Sequence, residues 1–117
     1  MRYLVCMVAA LGLLACASGP EPSDKLAASQ ASIRAAEEVG APNVPSAALH
    51  LQLAKEQVEQ AKQLMKADDN QRAKLVLMRA EADAELALAL AREQTLSQQA
   101  EQALNEARAL ERRASGL

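Results

Sequence analysis

The sequence predicts an all-α protein, either an antiparallel helical hairpin or an elongated three-helix bundle of coiled-coil type with one long C-terminal helix. Three observations carry this. Apolar residues recur at alternating steps of three and four over three separate segments. The segment from residue 71 to residue 113 holds neither Gly nor Pro. Alanine supplies much of an apolar fraction of 50%, with no Phe or Trp and a single Tyr, so little area is available for a compact globular core. Helices with alanine at their contacts can instead lie very close together.

The chain opens with Met1-Arg2-Tyr3, a short positive start, followed by an apolar run from Leu4 to Leu14 and the small residue Ala15. This is the layout of a secretory signal peptide over residues 1–15, too short to stay in a bilayer as a spanning helix. Leu13-Leu14-Ala15-Cys16 resembles the lipobox of bacterial lipoproteins. That resemblance implies lipidation of Cys16 and removal of the peptide before it, leaving a membrane anchor of several acyl chains. Only Tyr3-Leu4-Val5 stand between Arg2 and Cys6, which reads as a small apolar residue of the signal. The mature chain then owns one cysteine, blocked by lipid, and no intramolecular disulfide is expected. Ala17 follows Cys16 where an Asp would direct retention in the inner membrane. The resemblance therefore implies the outer membrane of a Gram-negative cell, facing the periplasm. Residues 16–22, with Ser18-Gly19-Pro20 and Pro22, read as a lipidated terminus and flexible tether.

Residues 23–117 form the Ala-rich helical domain. Ser23 or Asp24 can cap a first helix over about 24–39, whose seam is Leu26, Ser29, Ile33 and Ala36. Gly40-Ala41-Pro42-Asn43-Val44-Pro45 ends it, because glycine suits the position after a helix and proline disfavours helix in the residue before it. A second helix over about 46–66 carries the most regular seam: Ala47, Leu51, Ala54, Val58, Ala61 and Met65. Ala67-Asp68-Asp69-Asn70 is a turn, with Asp68 and Gln71 at capping-box-like spacing. The third helix, over about 71–113, bears Ala73, Leu77, Ala80, Ala84, Ala87 and Ala91 in its first half. Its second half bears Leu96, Ala100, Ala103, Ala107, Leu110 and Ala114, after a step of five at which the seam shifts. Residues 24–66 and 71–113 are equal in length, about 65 Å if helical throughout. In a hairpin closed at 67–70, residue i would face residue 137 minus i, and the Gly40–Pro45 break would fall opposite 92–97.

The alanine pattern, the Ala-Pro break and the stretch Ala67-Asp68-Asp69-Asn70-Gln71-Arg72-Ala73 make residues 23–108 resemble the family of domain of unknown function 4398. Its members are short Ala-rich helical proteins of Gram-negative envelopes, often lipoproteins. Some continue into a peptidoglycan-binding domain like that of outer-membrane protein A. Nothing in residues 23–117 corresponds to that domain, so its activity is not expected here.

Composition excludes several functions. Without Arg2 the chain has 12 basic and 15 acidic residues, a net of −3 with the signs interspersed, so a basic face for nucleic acid is absent. His50 is the single histidine, next to the seam residue Leu51, and reads as a boundary side chain; a metal site needs convergent ligands. Glu81, Asp83 and Glu85 alternate along a helix and read as solvated surface. Ser29, Ser32 and Ser97 read as small residues at close helix contacts, and no Gly-rich phosphate loop or serine nucleophile with a base is present. No catalytic residue, cofactor or metal is expected, and the protein is not expected to be an enzyme.

The functional expectation is therefore a lipid-anchored envelope protein with a structural or adaptor role. It would be held to the membrane by Cys16 and would meet an envelope protein, the cell wall or a second copy of itself. Leu86, Leu88 and Leu90 are apolar over more of the helix than one facing arm can cover, and are candidate partner contacts, with packing against the first arm as the alternative. Asn70, at the turn, is a candidate contact at the hairpin tip. The alternatives are a tetratricopeptide-like module that binds peptides or proteins, whose short repeated helices a helix of over forty residues would break, and a periplasmic chaperone-type accessory, which needs an exposed apolar groove.

Overall fold

The computed structural model describes residues 19–116. The stretch read as a signal peptide, the lipobox-like tetrad with Cys16 and the first part of the expected tether lie outside the described residues. The remainder is all-α: α1 (Ser23–Glu38), a short 3-10 turn (Ala41–Asn43), α2 (Pro45–Lys66) and α3 (Asn70–Ser115). The elements fall within two residues of the sequence expectation.

Two tight reversals set the topology. After α1 the chain turns at Gly40, whose φ of 85° is left-handed and whose N–H donates to the Glu37 carbonyl. Pro42 and Pro45 then hold the connection out of α-helix until Pro45 opens α2. After α2, Asp68 takes the left-handed conformation with a φ of 60°. Its N–H donates to the Met65 carbonyl and the N–H of Asp69 to the Leu64 carbonyl, the paired bonds of a Schellman ending. The cap of α3 is Asp69, whose carboxylate accepts from the backbone N–H of Arg72 at 3.4 Å, rather than the Asp68 expected from the sequence. Asp68 is occupied in ending the previous helix and cannot also start the next.

The three helices run up, down and up. Asp83 on α3 meets both His50 and Gln57 on α2, and so lies midway between them, at the level the hairpin rule assigns to residue 54. For α2 and α3 the rule therefore holds. It fails for α1, where Lys25 meets Glu81 and Ser29 meets Leu77, in place of partners near 112 and 108. The break at Gly40–Pro45 does lie beside Gln94, Thr95 and Gln98, as its position along the chain implies. There, however, it folds α1 back between α2 and α3 instead of letting it continue in line. Glu37 of α1 accordingly pairs with Lys55 of α2, and the structure is the three-helix bundle, not the two-armed hairpin.

The inward seams expected of α1, α2 and the first half of α3 are buried, whereas the seam expected of its second half, Leu96 to Ala114, is exposed. The core holds Ser29, Ile33 and Ala36 of α1, Ala47, Leu51, Ala54, Val58 and Ala61 of α2, and all six first-half seam residues of α3, from Ala73 to Ala91. Leu26 and Met65 are half-buried at its edge. Most of these residues are alanines with no exposed surface, so the backbones approach closely and a single methylene matters. Beyond Ala91, α3 leaves the bundle as an overhang in which almost every residue is exposed.

The sequence explains why the bundle stops there. Continuing the buried face of α3 past Ala91 gives Gln94, Thr95, Gln98, Gln102 and Asn105, all polar. A collinear α1 would have had to pack on those amides. Folded back, it closes an apolar seam.

Candidate functional site

Three polar contacts lock the bundle. Ser29 is wholly buried, and its hydroxyl lies 2.8 Å from the Lys25 carbonyl and 2.9 Å from the Leu77 carbonyl, sharing one proton between α1 and α3. Asp83 takes a bond on each oxygen: His50 Nδ1 lies 2.9 Å from Oδ1, and Gln57 Nε2 donates to Oδ2 at 2.8 Å. Lys25 pairs with Glu81 at 3.1 Å. The acidic pair Glu81 and Asp83 is thus not free surface as expected; only Glu85 is. Two residues apart on α3, they flank its buried face, so one reaches α1 and the other α2. Alternation of acids around a helical seam is the signal that could have found them.

Asn70, expected as a candidate contact at the hairpin tip, is instead an internal residue. It is buried, and its Nδ2 donates to the Gly19 carbonyl at 2.8 Å and to Asp68 at 3.3 Å. The turn between α2 and α3 therefore sits beside the start of the described chain and fastens it, instead of standing free at a tip. Leu88 and Leu90 are half-buried against the core, whereas Leu86 is exposed. Of the three leucines, only Leu86 is exposed enough to offer a partner much of its side chain. Ser97 is also exposed, not at a helix contact.

Leu86 is one member of a longer feature. Leu75, Met78, Ala82, Leu86 and Ala89 form a stripe on α3 about 180° around the helix from the buried seam. All five are exposed. The stripe continues along the overhang as Leu96, Ala100, Ala103, Ala107, Leu110 and Ala114, interrupted once by Glu93. What reads in sequence as a seam shifting by a step of five is therefore two seams on opposite faces. The inward one ends at Ala91, and the outward one begins at Leu75 and runs nearly to the end of α3.

Among the described residues no group of three His, Cys, Asp or Glu side chains is placed to hold a metal ion. The depressions are shallow notches, such as the one between Val39 and the α3 residues Arg92, Thr95 and Leu96. No helix of the described residues is long and apolar enough to cross a membrane.

Fold and surface together define a class: a narrow up-down-up bundle built on alanine seams, with one helix prolonged past the others. The chain belongs to the family described as domain of unknown function (DUF4398), whose profile matches residues 24–103, from the start of α1 into the overhang. No curated protein and no solved structure matches the chain.

Proposed function

We propose that the protein is a lipid-anchored component of the Gram-negative envelope with a non-catalytic structural or adaptor role, acting through helix–helix contacts in the periplasm. The observation that carries this reading is the tetrad Leu13-Leu14-Ala15-Cys16 at the end of a charged and apolar leader. Ala17 after the cysteine favours the outer membrane. The outward stripe of α3 supports a contact role, since large exposed leucines at helical spacing are a surface for another helix. The 46 residues of α3 weigh against a stack of short helical repeats.

Labelled palmitate tests the anchor. The wild-type chain is expected to take up label and to fractionate with outer membranes, and Cys16→Ala to do neither. A wild-type chain that stays unlabelled overturns the anchor. A photo-crosslinking residue at the exposed Leu75 tests the adaptor role by capturing an envelope protein or cell-wall fragment; adducts with neither would leave the anchored chain without that role.

A further inference from the structure

The outward stripe of α3 has a definite occupant. We propose that it pairs with the same stripe of a second copy, antiparallel, with the two-fold axis at the level of Gln98. The overhang of each copy then covers the outer face of α3 in the other copy's bundle.

The register follows from the charges beside the stripe. With the axis at Gln98, Leu86 faces Leu110 of the second copy, and Leu96 faces Ala100, large residue against small. Along one flank Arg92 then meets Glu106, and Glu85 meets Arg113, each twice by symmetry; along the other, Glu111 comes opposite Asp83, whose two oxygens are already turned to His50 and Gln57. A one-heptad slip in one direction sets Arg92 against Arg113; a slip in the other sets Glu85 against Glu106. Both oppose like charges and lose both attractive pairs. A parallel pair in register is worse still. It stacks Glu93 on Glu93 inside the seam and sets Glu106 beside Glu111, whereas the antiparallel pair places Glu93 against Ala103.

The size of the contact agrees. Residues 81–115 overlap, a strip about 52 Å long at 1.5 Å per residue and about 10 Å wide, hence roughly 1,000 Å² over both copies. That reaches the lower limit of specific interfaces, so the pair is a concentration-dependent dimer. The inward side of the overhang, with Gln94, Gln98 and Gln102, remains in water. The pairing goes beyond the lipid anchor and does not depend on it.

A charge exchange between copies tests both partner and register. Arg92 and Glu106 are exposed and make no ion pair within the described residues; Glu106 stands on the overhang and Arg92 only lines the shallow notch beside Val39, so reversing either leaves the fold intact, as equal far-ultraviolet circular dichroism will verify. Full-length chains with two different epitope tags are co-expressed, solubilised in mild detergent and recovered through one tag. Two wild-type copies are expected to co-purify. Two R92E copies, or two E106R copies, are expected to co-purify on the order of tenfold less well, because attraction becomes repulsion at two symmetric sites. R92E mixed with E106R restores opposite charges at both sites and is expected to return to the wild-type level. The proposal is overturned if wild-type copies separate, if the single reversals leave pairing intact, or if the mixed pair is as weak as either variant with itself.

Discussion

Leu75 and Leu77 stand two residues apart on α3 and on opposite faces, which makes the pair a direct test of the bundle. Leu77 has no exposed surface and is the largest fully buried side chain among the described residues, whereas Leu75 is 65% exposed. Leu77→Ala removes three buried carbons, about 2.4 kcal/mol of transfer free energy at ~0.8 kcal/mol each. The cavity left among rigid alanine contacts brings the cost to roughly 3–5 kcal/mol. Leu75→Ala removes the same three carbons from a site only about one-third covered, and alanine is the better helix former, so its cost stays under about 1 kcal/mol. A domain of this size has about 5–15 kcal/mol of stability, and a loss of 1 kcal/mol lowers its midpoint by roughly 4–8 °C. Leu77→Ala is therefore expected to lower the thermal midpoint by more than about 12 °C and Leu75→Ala by less than about 8 °C. Both are followed by circular dichroism at 222 nm, at one protein concentration because dimerisation shifts midpoints. Leu75 lies outside the 81–115 overlap, so the comparison reads the fold and not the pairing. Equal losses at the two positions would refute the assignment of faces on α3.

Substitutions at three further positions probe the polar locks and the turn. Ser29→Ala should cost about 1 kcal/mol in urea unfolding by removing the α1–α3 bond, and Ser29→Leu should cost more, by forcing the two helices apart. Asp83→Ala leaves His50 and Gln57 without their shared acceptor; a loss of about 1–2 kcal/mol is expected, and the His50 ring resonances should shift in the nuclear magnetic resonance spectrum. Asp68→Gly relieves a side chain held at a φ of 60° and should raise stability by about 0.5 kcal/mol, less whatever the 3.3 Å bond from Asn70 contributes; Asp68→Val should lower it by more than 1 kcal/mol on the order of a strained left-handed residue.

Much of the architecture can be read in the residues themselves, because helical periodicity and breakers are local. The spacing of Ala47, Leu51, Ala54, Val58 and Ala61 is enough to name the inward face of α2, and that of Ala73 through Ala91 does the same for α3. Gly40 and the two prolines after it mark one reversal, and the acidic turn marks the other. The likeness to the DUF4398 family is likewise carried by local sequence, in the alanine pattern and the turn.

The direction of α1 was not local. A break such as Gly40–Pro45 permits either a kink or a full reversal, and the choice depends on what α1 would meet in each case. Only the assembled bundle shows that one route meets apolar surface beside Leu77 and the other meets Gln94, Gln98 and Gln102. The same applies to Asn70 and to Glu81 and Asp83: a polar residue on a helix reads as solvated until another helix arrives to accept its bond. The two seams of α3 could have been separated in sequence by following each one around the helix instead of treating them as a single shifted line.

Sequence alone thus determined the helices, their inward faces, the two reversals and the family, since each depends on residues within a few turns of one another. Tertiary structure decided that α1 folds back, that Asn70 and Asp83 are internal fastenings, and that Leu86, Leu96 and Leu110 belong to a face the bundle leaves uncovered. Those outcomes depend on which surfaces remain apolar once other helices have been placed, a quantity that no single stretch of the chain contains.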